Sequence, residues 1–188
     1  MNEKKRIVFQ GTFDPFTNGH LAVVKAARAV FDEVIILLLV NPDKKPLFSL
    51  EKRQAMIEAS VKDMPGVSVE HFDGLLVDYL KAHELSACVR GVRNSTDFDY
   101  EKQNHFLSQK LYPALQTLFL PSDPQWECVS SSAVKTACEQ GTLPQEWSVA
   151  PLRLLKTIIH TGGKLPKEWV PEPVLRELKK TFPKLLVF

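Results

Sequence analysis

Net charge is almost absent from this chain: 24 lysines and arginines against 22 aspartates and glutamates leave +2 over 188 residues. No basic tract offsets that balance, so the sequence predicts neither a nucleic acid nor an anionic membrane as partner, and any cationic site must be local. Cysteine is also scarce. The three present (Cys88, Cys128, Cys138) are an odd set without metal-ligand spacing, which excludes a disulfide framework and predicts reduced thiols. No apolar run is long enough to span a bilayer. The charged start Met1 to Arg6 runs straight into a short apolar stretch without a leader-like region, which predicts a cytoplasmic protein. Repeats and low-complexity segments are lacking too.

What remains is enough apolar material, 44% of the residues, to bury the core of an ordinary domain. Apolar runs alternate with helical patterns, the order expected of a parallel sheet covered by helices. Strands are predicted at Ile7 to Gln10, Val34 to Val40, Val67 to His71, Ala87 to Arg90 and Thr117 to Leu120. Helical patterns lie near Asn18 to Phe31, Leu50 to Asp63, Leu75 to His83 and Asp97 to Leu111, the first with Asn18 expected as its N-cap. The fold class is therefore α/β, a doubly wound parallel five-stranded sheet. A shift toward proline and helical patterning after Gly141 divides the chain into a catalytic domain, 1–141, and a helical C-terminal extension, 142–188. In the extension, Val174, Leu175, Leu178 and Phe182 recur at helical spacing, so this stripe must be covered by the same subunit or by a neighbour.

Ligands bind such sheets beyond the carboxyl ends of the strands. Three segments fall there. Gly11-Thr12-Phe13-Asp14-Pro15-Phe16-Thr17-Asn18-Gly19-His20 joins the first strand to the first helix, where unpaired N–H groups and the helix dipole favour phosphate. An ordinary turn needs neither the Thr12 hydroxyl nor the His20 imidazole, which can donate to a phosphoryl oxygen. Asn41-Pro42-Asp43-Lys44-Lys45-Pro46 follows the second strand; paired lysines are commonly a solvated face, but Lys44 lies beside the Gly11 loop. Arg90-Gly91-Val92-Arg93 follows the fourth strand, and its guanidinium groups suit bidentate contact with phosphate. After the fifth strand, Ser130-Ser131-Ser132 opens a helix that one serine caps, while the three hydroxyls and free N–H groups also suit outer phosphates, both roles holding at once. Asp97, Asp99 and Glu101 favour a helix start without forming a metal site, and Asp14 stabilises loop geometry.

Thr17-Asn18-Gly19-His20 resembles the Thr/His-x-Gly-His signature of the nucleotidyltransferase superfamily. Together with Val40 to Glu51, Gly74 to Tyr79, Val89 to Arg93, Asp97 to Glu101 and Ser130 to Lys135, it resembles the bacterial phosphopantetheine adenylyltransferases, over about residues 6 to 140. The resemblance implies a Rossmann-like nucleotidyltransferase fold, transfer of the adenylyl group of ATP to 4′-phosphopantetheine, Mg²⁺ carried by ATP without protein ligands, and a homohexamer. It implies that His20, Thr12, Lys44 and Arg93 serve catalysis. Thr12, Lys44, Leu75, Leu76 and Arg90 would bind phosphopantetheine, and Gly11, Thr12, His20, Arg93, Glu101, Ser130, Ser131 and Ser132 would bind ATP. Departures are Gln10, where the family has proline, Asn104 to Gln109, where it has a run ending Met-Asn-Arg, and the altered end after Gly141. Two other readings stand beside this one: a sister adenylyl- or cytidylyltransferase with another phosphate acceptor, and a relative that binds nucleotide or coenzyme A without turnover.

Overall fold

A computed structural model of the chain describes residues 4–40, 45–140 and 161–188. Five strands, β1 (Arg6–Gly11), β2 (Glu33–Leu39), β3 (Val67–Phe72), β4 (Ala87–Val92) and β5 (Gln116–Pro121), form one sheet in the order β3-β2-β1-β4-β5. Every pairing is parallel. Helices α1 (Asn18–Arg28), α2 (Leu50–Val61), α3 (Leu76–Ala82), α4 (Ser95–Leu111), α5 (Ser131–Gln140) and α6 (Glu172–Thr181) accompany the sheet, with short 3-10 turns at Pro124–Trp126 and Lys167–Trp169. The expected strands and helices are all present, with ends shifted by a few residues. Because the chain winds outward from β1 to β3 and then crosses back to β4, the topological switch point lies between β1 and β4.

The central strands are apolar on both faces, as a covered parallel sheet requires. Strand alternation sorts them. Ile7, Phe9, Val34, Ile36, Leu38 and Val89 pack with α1, α2, α5 and α6, whereas Val8, Ile35, Leu37 and Cys88 pack with Leu76, Tyr79 and Leu80 of α3. Helix α4 lies against β4 and β5, with Phe98 edge-on to Phe119 at 5.1 Å and His105 Nδ1 2.9 Å from Thr117 Oγ1.

One local feature differs from the sequence reading. Thr17, not Asn18, is the N-cap of α1: its backbone is extended and its Oγ1 accepts from the His20 N–H. The hydroxyl of Thr17 reaches the third helical residue, while Asn18 has already entered the helix and donates Nδ2 to Glu168 O at 2.7 Å. Of the three serines, Ser130 is the one that caps, as expected, accepting from Ala133 N at 3.0 Å.

The apolar stripe near the C-terminus is covered by this same chain. Val174, Leu175 and Leu178 of α6 are buried, α6 packs on α2, Phe182 meets Phe48 edge-on, and Lys52 pairs with Glu177 at 2.9 Å. Past α6, Val187 pairs with Leu165 in an isolated parallel bridge, and Leu185 is buried. These residues join the hydrophobic cluster that holds Ile7, Phe9, Phe13 and Phe16. Truncating a fully buried leucine in such a cluster removes transfer energy and leaves a cavity. Leu178→Ala should therefore lower the unfolding free energy by about 2–5 kcal/mol in a urea titration, whereas a loss below about 1 kcal/mol would place α6 outside the cooperative unit.

Candidate active site

The loop after β1 is built tightly. A Cβ at Gly11 would sit 2.9 Å from the Phe13 ring, so only glycine lets that ring fold back under the loop. Phe13 itself takes a left-handed backbone, φ 46°, and the Asp14–Pro15 bond is cis. Asp14 turns its carboxylate away from the opening and accepts from Leu47 N (2.6 Å) and Phe48 N (3.0 Å), which fixes the loop to the start of α2. The buried Arg53 of α2 donates Nη1 to Thr12 O at 2.6 Å and Nε to Phe48 O at 3.1 Å. Carboxylate and guanidinium thus hold the same loop from below, leaving the upper surface open.

His20 occupies the third position of α1. Its main-chain N–H donates to Thr17 Oγ1 (3.3 Å), and its Nδ1 accepts from Thr17 N (3.0 Å), giving a capping box with an imidazole where glutamate or glutamine is usual. A main-chain N–H can only donate, so Nδ1 must be the unprotonated nitrogen and the ring proton must sit on Nε2. The ring stacks on Phe16 at 5.5 Å and meets Phe13 (5.2 Å) and Phe9 (6.2 Å) at steeper angles. Burial among these rings, helped by the nearby Arg93 charge, lowers the His20 pKa to about 4. At neutral pH His20 is consequently a neutral Nε2–H donor, although it still lines the cleft.

Across the switch point, β4 brings two arginines. A Cβ at Gly91 would come within 2.7 Å of Val23 Cγ2, so the glycine lets the end of β4 lie against α1. Arg93 donates Nε and Nη2 to Asp97 (2.7 and 3.0 Å), while Arg90 Nε lies 2.8 Å from Glu101 Oε2 as an ion pair. Asp97 and Glu101 are one turn apart on α4, so one helix face receives both cations. On the remaining side, Ser131 Oγ donates to Pro15 O at 2.8 Å, which brings the start of α5 to the β1 loop.

Gly11, Thr12, His20, Arg90, Arg93, Glu101, Ser130, Ser131 and Ser132 all line one cleft of about 310 Å³. Leu75 and Leu76 are not among its walls. Leu75 precedes α3 and is exposed, and the apolar side chain of Leu76 is drawn into the α3 cluster, where it walls a small cavity that shares Gln10, Arg90 and Glu101 with the cleft. Lys44 lies outside the described residues. Sequence reasoning missed Arg53, which acts through a contact 41 residues away, and Trp126, which lines both this cleft and an adjoining groove of about 550 Å³ over α1. Among the described residues no group of three or more His, Cys, Asp or Glu side chains could hold a metal ion.

A parallel sheet whose switch point carries a helix-start histidine, two arginines and a serine-lined helix N-terminus is the layout of a nucleotidyltransferase. The family model described as cytidylyltransferase-like matches residues 8–137. A phosphopantetheine adenylyltransferase of Clostridium tetani is 45% identical over 144 residues, 74% of this chain and 90% of that protein. One of Caldanaerobacter subterraneus is 41% identical over 177 residues, 94% of this chain and 97% of that one, so the match continues past residue 141. Among solved structures, a bifunctional NMN adenylyltransferase/ADP ribose pyrophosphatase from Francisella tularensis shares the fold at a TM-score of 0.57 and 20% identity, over 85% of this chain and 51% of that one. The chain belongs to the cytidylyltransferase-like family and, within it, to the phosphopantetheine adenylyltransferases.

The pKa of His20 makes stability depend on pH. Between the unfolded value of 6.5 and the folded value of about 4, the unfolded chain binds a proton that the folded chain does not, so stability falls as pH drops through this window. Urea titrations at intervals across the window should show a steeper decline for the wild type than for His20→Gln. Parallel declines would mean that His20 titrates alike in both states.

Proposed function

We propose that this cleft holds two phosphate-bearing substrates in line for adenylyl transfer. The enzyme transfers the adenylyl group of ATP to 4′-phosphopantetheine, giving dephospho-coenzyme A and pyrophosphate, as its place among the phosphopantetheine adenylyltransferases indicates. An oxygen of the acceptor phosphate attacks the α-phosphorus of ATP, and the bond from that phosphorus to the α,β-bridging oxygen breaks. The acceptor is already ionised at neutral pH, so neither a general base nor a side-chain nucleophile is needed. The difficulty is charge: two anions must meet, and the protein must relieve the charge on the transferring group.

The observation that carries the assignment is the fixed neutral tautomer of His20, with its Nε2–H donor at the helix start. We assign that donor to an α-phosphate oxygen, with the Thr12 hydroxyl beside it. Arg90 and Lys44 hold the acceptor phosphate. Arg93, the Gly11 loop, Glu101 and Ser130, Ser131 and Ser132 bind ATP; the start of α5 offers the triphosphate main-chain N–H groups and the hydroxyls of Ser130 and Ser132, while the Ser131 hydroxyl holds Pro15 O. The acceptor's arm leaves the cleft past Arg90 toward Leu75 and Leu76, a path supported by the lining that the cleft and the small cavity share. Mg²⁺ would arrive on the triphosphate and neutralise part of its charge.

We also propose a cytoplasmic homohexamer. No described helix is long and apolar enough to cross a membrane, and the thiols of Cys88 and Cys138 are buried and reduced. Helix α4 has no buried residue, and Phe106, Leu107 and Leu111 are exposed along it, a surface suited to subunit contact.

Purified protein given ATP, Mg²⁺ and 4′-phosphopantetheine should release pyrophosphate and form dephospho-coenzyme A. His20→Ala should lower kcat by roughly a hundredfold or more with little change in ATP binding. A loss of ATP affinity at unchanged kcat would place His20 in ground-state binding instead. Arg90→Ala should raise KM for the acceptor more than for ATP, and Arg93→Ala should do the reverse or affect both. Identical profiles for the two variants would overturn this division of roles.

A further inference from the structure

Gln10 is the last residue but one of β1 and is buried, 6% exposed, beside a charged group. A buried amide is retained at a cost unless its polar atoms are used. Here they meet Arg90. The main-chain oxygen of Gln10 accepts from Arg90 Nη1 at 3.1 Å. With the amide oriented to give the guanidinium an acceptor, Oε1 lies 3.2 Å from Nε and 3.3 Å from Nη1. Glu101 Oε2 lies 2.8 Å from the same Nε as an ion pair, and Nη2 has no hydrogen-bond acceptor among the described residues.

This arrangement separates two things an arginine needs in order to bind phosphate. The carboxylate of Glu101 holds it electrostatically and offsets part of its charge. Gln10 contributes geometry without charge. Two neutral oxygens of one residue hold the Nε and Nη1 edge without adding a second negative charge, so the guanidinium presents Nη2 in a set direction. A fork fixed in advance loses less rotamer freedom when it grips an anion. Gln10 also lines both the cleft and the small cavity beside it, which places it at the turn from acceptor phosphate to acceptor arm.

We infer that Gln10 is a positioning residue for the acceptor: it orients the Arg90 guanidinium toward the phosphate of the incoming phosphopantetheine. The inference rests on the assignment of Arg90 to that phosphate. Steady-state kinetics of the full chain, varying each substrate in turn, tests it with Gln10→Met, Arg90→Ala and the double variant. Methionine keeps the volume of the side chain and removes the oxygen. Gln10→Met should raise the acceptor KM by about tenfold while kcat and the ATP KM stay within about twofold, and the double variant should match Arg90→Ala alone. Gln10→Glu keeps an oxygen in place but adds a charge, and should raise the acceptor KM at least as much, which provides a second reading should Gln10→Met fold poorly. An unchanged acceptor KM in Gln10→Met, with Arg90→Ala impaired, overturns the inference alone. Independent, additive effects in the double variant also overturn it, whereas an Arg90→Ala variant altered only in ATP KM overturns the assignment of Arg90 beneath it.

Discussion

The reciprocal hydrogen bonds between Thr17 and His20 are the interaction on which the site depends. They close the first turn of α1, and the same two contacts set the protonation of the imidazole, because Thr17 N must donate to Nδ1. A helix cap has thereby become part of the chemistry. Phe9, Phe13 and Phe16 enclose the ring and keep it neutral, and the glycine at position 11 lets Phe13 reach that place. The functional donor is thus a product of main-chain geometry and apolar packing.

Opposite this donor the site stores cations. Arg90 and Arg93 leave the end of β4 on either side of Gly91, each met by a carboxylate from one face of α4. These pairs are partly exposed, and their net contribution to stability is small. Their weight lies in holding the cations where two polyphosphate substrates must meet. The support below is arranged in the same way: Asp14 and Arg53 bond main-chain atoms of the loop and of the segment leading into α2, and neither needs to touch a substrate to matter.

Much of this was legible in the sequence. Strand alternation, helical stripes and the strand–loop–histidine run gave the sheet, its parallel sense and the switch-point location, since these depend on local patterns. The residues that face one another across the chain were harder to read. Thr17 is hard to read as a cap from sequence, because a histidine at the third helical position is not the usual capping-box partner. The Arg53–Thr12 and Gln10–Arg90 contacts join residues 41 and 80 positions apart, and no local periodicity reports them. The apolar stripe of the C-terminal helix could be read, but the surface covering it, α2 of the same chain, could be known only from the fold.

The most direct test of this account is the protonation of the two ring nitrogens of His20, followed by nitrogen NMR on the labelled full-length protein from pH 5 to pH 8. Nε2 should carry the proton throughout, with Nδ1 bare and no titration in that range, and the assignment should be secured by loss of the signals in His20→Gln. A ring protonated on Nδ1, or an imidazolium at neutral pH, would contradict it, because His20 could then not be the neutral donor that the cap and the aromatic packing build.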